Sequence, residues 1–236
     1  MGPSTQKSAQ RSALWRGAVA ALPFIIVLVP FALLFGVAAT EAGLPISQVM
    51  GFTVLVIAGA SQFAALQFMI ENAPVLVVLA SALAVNLRMA MYSAAITPYL
   101  GDQPLWKRAL LSYILVDQTY NLAVLEYEAR PEQSMAERTA FFVGCALSIV
   151  PLWFLFTWVG AALGGTIPPQ YPLDFALPIA FLAMVAPALR TLAHVAAAVT
   201  SVVLALMLGF VPLNMGLLIA ALVAMMIGAE VERRMA

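Results

Sequence analysis

The stretch PVLVVLASALAVNLRMAMYSAAITPY, residues 74–99, decides the fold. It reads as one apolar helix long enough to cross about 30 Å of hydrocarbon, interrupted near its middle by Asn86-Leu87-Arg88. A charged side chain at the centre of a bilayer costs about 2.5–3.5 kcal/mol on insertion scales. It therefore faces protein or water, and it marks either a working site or a structural ion pair. A second interruption of this kind stands at Asp117-Gln118-Thr119.

The rest of the chain agrees with that reading. Of its 236 residues, 64% are hydrophobic and 9% charged, and the mean hydropathy is +0.99. Soluble domains carry about 25% charged residues. The chain is expected to be an all-α polytopic membrane protein forming a single transmembrane domain over 1–236, with a polar tail at 1–13. About eight spans follow from runs and breaks: 16–40, 47–70, 74–99, 106–127, 137–163, 174–190, 193–210 and 212–230.

Lys7, Arg11, Arg16, Arg130, Arg138, Arg190, Arg233 and Arg234 then share one side, with Lys107 and Arg108 opposite. Basic residues favour the cytoplasm, so both termini are expected there. Seven crossings with 47–70 re-entrant is the competing arrangement; it brings Lys107 and Arg108 inside and exports Arg233 and Arg234.

Several spans are expected to be discontinuous: the first at Pro23, Pro30 and Gly36, the sixth at Pro178 and Pro187, the second at Gly59-Ala60-Ser61-Gln62. Proline removes a helix hydrogen bond, and broken helices aim their ends at substrate in transporters. Ala21-Leu22-Pro23 and Ala176-Leu177-Pro178 echo each other and hint at a degenerate inverted repeat. Gly160 and Gly164 have the spacing of a close helix contact. Trp15 and Trp106 sit near span ends, as interfacial anchors do.

Helical spacing puts Asn86, Met89, Ala90, Ser93 and Thr97 on one face, with Tyr92 one turn beyond Arg88. Tyr113, Asp117, Tyr120, Asn121 and Glu128 form a second polar stripe. Together these residue types suit a zwitterion. Arg88, or the helix-start amides near Gly59, Ser61 and Gln62, would hold a carboxylate and Asp117 an ammonium. Gln118, Tyr120 and Asn121 complete the candidate substrate-binding set, and Asp117 is the candidate for ion coupling. The competing role is an Arg88–Asp117 pair that only locks two helices. Phe63, Met89 and Phe181 suit either a side-chain pocket or the core.

Other chemistries are excluded or disfavoured. No basic patch suits nucleic acid. The single His194 and single Cys145 make no metal cluster, and no phosphate loop for ATP is present. Neither Asp117 nor Asp174 has the Gly-x-Gly-Asp setting of an aspartyl intramembrane protease, and Ser61 lacks Gly-x-Ser-Gly. No enzyme activity and no cofactor are expected. Glu41 and Glu71 fall in expected loops, and Asp174 starts a span as a cap would.

Gly59-Ala60-Ser61-Gln62-Phe63, Asn86-Leu87-Arg88, Asp117-Gln118-Thr119 and Leu173-Asp174-Phe175-Ala176-Leu177-Pro178 resemble, in order and spacing, the AzlC family. These are large subunits of bacterial branched-chain amino acid exporters in the inner membrane. The resemblance implies secondary export of leucine, isoleucine, valine and sometimes methionine, with a small AzlD-like membrane subunit as partner. The family often has Asn-x-Arg-His and Thr-Asp-Glu, where this chain has Met89 and Gln118. A membrane scaffold whose activity lies in its partner is the alternative.

Overall fold

A computed structural model describes residues 3–164, 189, 191–211 and 215–235. The described residues are helical with short connections and contain no strand. They divide into two compact units, residues 1–71 with 78–171, and residues 72–77 with 172–236.

The first unit is built on α1 (Pro3–Glu41) and α7 (Met135–Gly164), which run side by side in the same direction. Glycines make the seam. A Cβ on Gly17 would strike the backbone of Phe141, one on Gly144 that of Leu14, and one on Gly160 that of Leu33. Gly164 meets Val37 and Thr40 in the same way, so the expected close contact of Gly160 and Gly164 is made with α1. In lipid, where apolar surface offers no preference for helix over tail, such close backbone approach drives association. The expected discontinuity of the first span does not occur: α1 is continuous through Pro23 and Pro30. Both prolines lie on its exposed face, and the seam with α7 holds the rest of the rod.

The expected spans 47–70 and 106–127 are not straight crossings. The first divides into α2 (Ile46–Leu55) and α3 (Gly59–Ile70), with extended backbone at Val56 and Ala58. α1 closes at Gly43, whose φ of 89° only glycine adopts easily. Two residues beyond, α2 runs back alongside α1, and then the chain turns. Phe35 touches both Phe52 at 5.8 Å and Phe63 at 5.4 Å, and Gln62 Nε2 donates to Thr53 Oγ1 at 2.9 Å. A straight helix would separate those last two residues by roughly 13 Å, beyond the reach of their side chains.

The second divides into α5 (Leu105–Tyr113) and α6 (Asp117–Ala129), and here the reversal is complete. α4 (Val75–Leu100) ends beside the start of α5. Tyr92 of α4 stacks on Tyr120 of α6 at 4.2 Å, and seven residues further along both helices Tyr99 packs on Tyr127 at 5.2 Å. Gln103 Nε2 donates to Thr139 Oγ1 at 2.7 Å at the same end. α6 therefore runs parallel to α4, and α5 dips in before it. Half-helices of this length rise roughly 14–20 Å, too short for about 30 Å of hydrocarbon. Among the described helices, α1, α4 and α7 are long and apolar enough to cross. The two hairpins dip from opposite ends and meet, since Tyr113 Oη donates to the carbonyl of Val54 at 2.7 Å.

The second unit contains α8 (Leu192–Met207) and α9 (Met215–Met235), packed on each other where Gly228 approaches the Ala197 side chain. Thr191 caps α8 by accepting from the His194 N–H. The expected span 174–190, with Asp174, Pro178, Phe181 and Pro187, lies outside the described residues apart from Leu189, as does one half of the proline echo. Arg190 falls outside them too.

Candidate functional site

The polar site of the first unit forms where the start of α6 meets a charge in the middle of α4. Arg88 stands halfway along α4, twelve to thirteen residues from either end. Asp117 opens α6. Their side chains pair, Arg88 Nη1 to Asp117 Oδ2 at 3.1 Å. The Tyr92 ring, one turn beyond Arg88, stacks on Tyr120 of α6. An acidic residue in the first turn also meets the positive end of the helix dipole. Thr119 completes the turn: its Oγ1 accepts from the Val116 N–H at 2.9 Å.

The pair is incompletely satisfied. Asp117 Oδ1, Arg88 Nε and Asn86 Oδ1 are shielded from solvent and have no hydrogen-bond partner. A buried polar atom without a partner costs about 1–3 kcal/mol, and more when charged. This leaves an acceptor on the acid and a donor on the base of the ion pair, and Asn86 of α4 carries a further unpartnered carbonyl.

The other predicted residues fall into two groups. Tyr120 and the half-buried Gln118 belong to the α6 side of this centre, with Asn121 on its exposed face. Gly59, Ser61 and Gln62 occupy the start of α3 in the opposing hairpin. Gly59 has no room for a Cβ against Phe31 and Trp153, Ser61 Oγ donates to the Ala58 carbonyl at 3.0 Å, and Gln62 is held by Thr53. Gln62 Oε1, Trp153 Nε1 and Thr157 Oγ1 are likewise shielded and unpartnered there. α3 begins with no side-chain cap. Phe63 is core, packed on Phe31 at 4.8 Å. The Tyr113–Val54 hydrogen bond is the contact that joins the two helix breaks.

One expectation is corrected. The stripe Tyr113–Asp117–Tyr120–Asn121–Glu128 is not one helical face, because the chain leaves the helix at Ile114–Val116 and Tyr113 belongs to α5. Glu126 lies in α6, and its Oε1 takes Arg16 Nη2 at 3.0 Å and Gln133 Nε2 at 2.7 Å. Sequence spacing gives no signal for that pair, 110 residues apart. Tyr92 had a signal, one turn from Arg88, although its partner lies on another element. Among the described residues no group of His, Cys, Asp and Glu could hold a metal ion.

Such a fold and site define a polytopic helical membrane protein in which a charge in the middle of an apolar helix pairs with the start of a half-helix. A family model described as "AzlC protein" matches residues 23–167. The chain belongs to the AzlC family, which is associated with membrane transport rather than enzymatic chemistry. It is 25% identical over 186 residues to the "Inner membrane protein YgaZ" of Escherichia coli strain K12, covering 76% of this chain and 75% of that one. It is 28% identical over 221 residues to an "Uncharacterized membrane protein" of Archaeoglobus fulgidus, covering 91% and 94%. No solved structure matches.

Proposed function

We propose that the chain is a secondary transporter exporting branched-chain and similar apolar amino acids across the bacterial inner membrane, together with a small AzlD-like subunit. The observation carrying this reading is the Arg88–Asp117 pair at mid-helix, with Asp117 Oδ1, Arg88 Nε and Asn86 Oδ1 left unpartnered. An amino acid zwitterion complements that set. Its carboxylate takes the Arg88 guanidinium, whose planar fork suits two oxygens, and its ammonium takes Asp117. The pair is thus a resting surrogate for substrate, broken when substrate inserts between its members. Alternating access then moves the two hairpins about their joined breaks. Asp117 is the carboxylate at this centre, so coupling to an ion or proton gradient is assigned to it.

Orientation follows from charge. Lys7, Arg11, Arg16, Lys107, Arg108, Arg130 and Arg138 gather at the end of the first unit where α1 begins, and Glu41 and Glu71 lie at the other. The basic end is placed in the cytoplasm.

Purified protein in liposomes, with and without the small subunit, is expected to move labelled leucine or valine. A folded protein that neither binds nor moves them rejects the reading and leaves a scaffold. Removing one charge strands the other, so the informative variant is the double change Arg88→Met with Asp117→Leu. It is expected to be stable and inactive, whereas export at the wild-type rate eliminates the pair as the site. Asp117→Asn alone is expected to abolish gradient-driven export.

A further inference from the structure

A cavity of about 60 Å³ lies between α4, α5 and Phe142 of α7, apart from the ion pair. Its polar lining is Arg108, Ser93, Thr97 and Ser112, and Leu115 in the α5–α6 break closes its inner side. The cavity therefore begins at the end where α4 meets α5 and finishes two residues short of Asp117. Ser93 is five residues along α4 from Arg88, roughly 8 Å of helix rise.

Its chemistry selects an anion. Arg108 is the single charge among the described lining residues, and no carboxylate lines the cavity. Within the described residues Arg108 makes no ion pair, unlike Arg16, Arg88, Arg130, Arg233 and Arg234. The Thr97 hydroxyl gives its proton to the Ser93 carbonyl at 2.6 Å, which leaves the serine hydroxyls and the guanidinium as donors. Size narrows the ligand further. A water needs about 10–15 Å³ on this measure, so the cavity holds roughly four water-sized groups. A carboxylate fits that volume.

We propose that this cavity is a carboxylate station, in which Arg108 with Ser93 and Ser112 holds the headgroup of an amino acid on its way to or from the Arg88–Asp117 centre. The proposal rests on the transport reading for its physiological ligand, but its binding chemistry can be tested without it. The probe is acetate carrying a ¹³C carboxyl, titrated by NMR into the full-length protein. Arg108→Gln is expected to weaken acetate binding at least tenfold, and Arg108→Lys to restore part of it. The Arg88→Met, Asp117→Leu double variant is expected to keep the Arg108-dependent acetate signal. For leucine flux, Arg108→Gln is expected to raise KM by a larger factor than it lowers the maximal rate. Unchanged acetate binding in a folded Arg108→Gln protein overturns the station, whatever the transport result. Arg108-dependent acetate binding in a protein that moves no amino acid keeps the anion site and overturns the transport reading instead.

Discussion

At the scale of single residues, the centre is organised by what remains unpaired as much as by what is paired. Arg88 and Asp117 pair through one carboxylate oxygen, and the other oxygen is left without a partner. A hydrogen bond to a charged group contributes about 1.5–3 kcal/mol, so a ligand ammonium reaching the free Asp117 Oδ1 gains on that scale. Asp117→Asn is expected to weaken leucine binding roughly tenfold or more; equal affinity in a binding titration would remove Asp117 from the site. The positions where this chain departs from the family pattern lie beside the pair. Met89 follows Arg88, half-buried on α4, and Gln118 follows Asp117 at the start of α6.

At the scale of elements, each hairpin is broken by apolar residues: Val56-Ile57-Ala58 and Ile114-Leu115-Val116. Nothing in those triplets resembles a turn, because neither contains glycine, proline or a polar residue. Val and Ile are only slightly poor helix formers, so Ile114-Leu115-Val116 reads as continuous span, whereas the first break falls beside Gly59, where the sequence reading expects one. The breaks instead depend on partners elsewhere, Thr53 with Gln62 across the first and Thr119 at the second. Tyr113 ties the two breaks through the Val54 carbonyl. Tyr113→Phe frees that carbonyl, and amide hydrogen exchange is expected to rise together around 54–58 and 113–117. A rise confined to one break would show the hairpins to be independent.

At the scale of the whole molecule, re-entrance changes which loops share a side. Straight crossings at 47–70 and 106–127 would place Ala42 opposite Glu71 and Asp102 opposite Glu132. The hairpins put Ala42 with Glu71, and Asp102 with Glu132. Cys145 is buried on α7 and is the chain's only cysteine, so Cys145→Ser gives a clean background. Single cysteines at positions 42 and 71 are expected to react with an impermeant thiol reagent from one side of the membrane, and those at 102 and 132 from the other. Labelling of 42 and 71 from opposite sides would restore the straight crossing. The re-entrant arrangement also gathers Lys107 and Arg108 with the other basic residues of the first unit, removing the exception that eight crossings required.

The amino-acid sequence by itself determined that this is a helical membrane protein, which segments are apolar, and that Arg88 and Asp117 are its costly residues. Composition and local hydropathy suffice for that, because the price of a charge in hydrocarbon depends on the residue and its depth. Only the tertiary structure decided that Arg88 meets Asp117, that Tyr92 stacks on Tyr120 while Tyr113 ties one hairpin to the other, and that two apparent spans turn back. Those outcomes depend on contacts between residues tens of positions apart. No periodicity within a single helix records them.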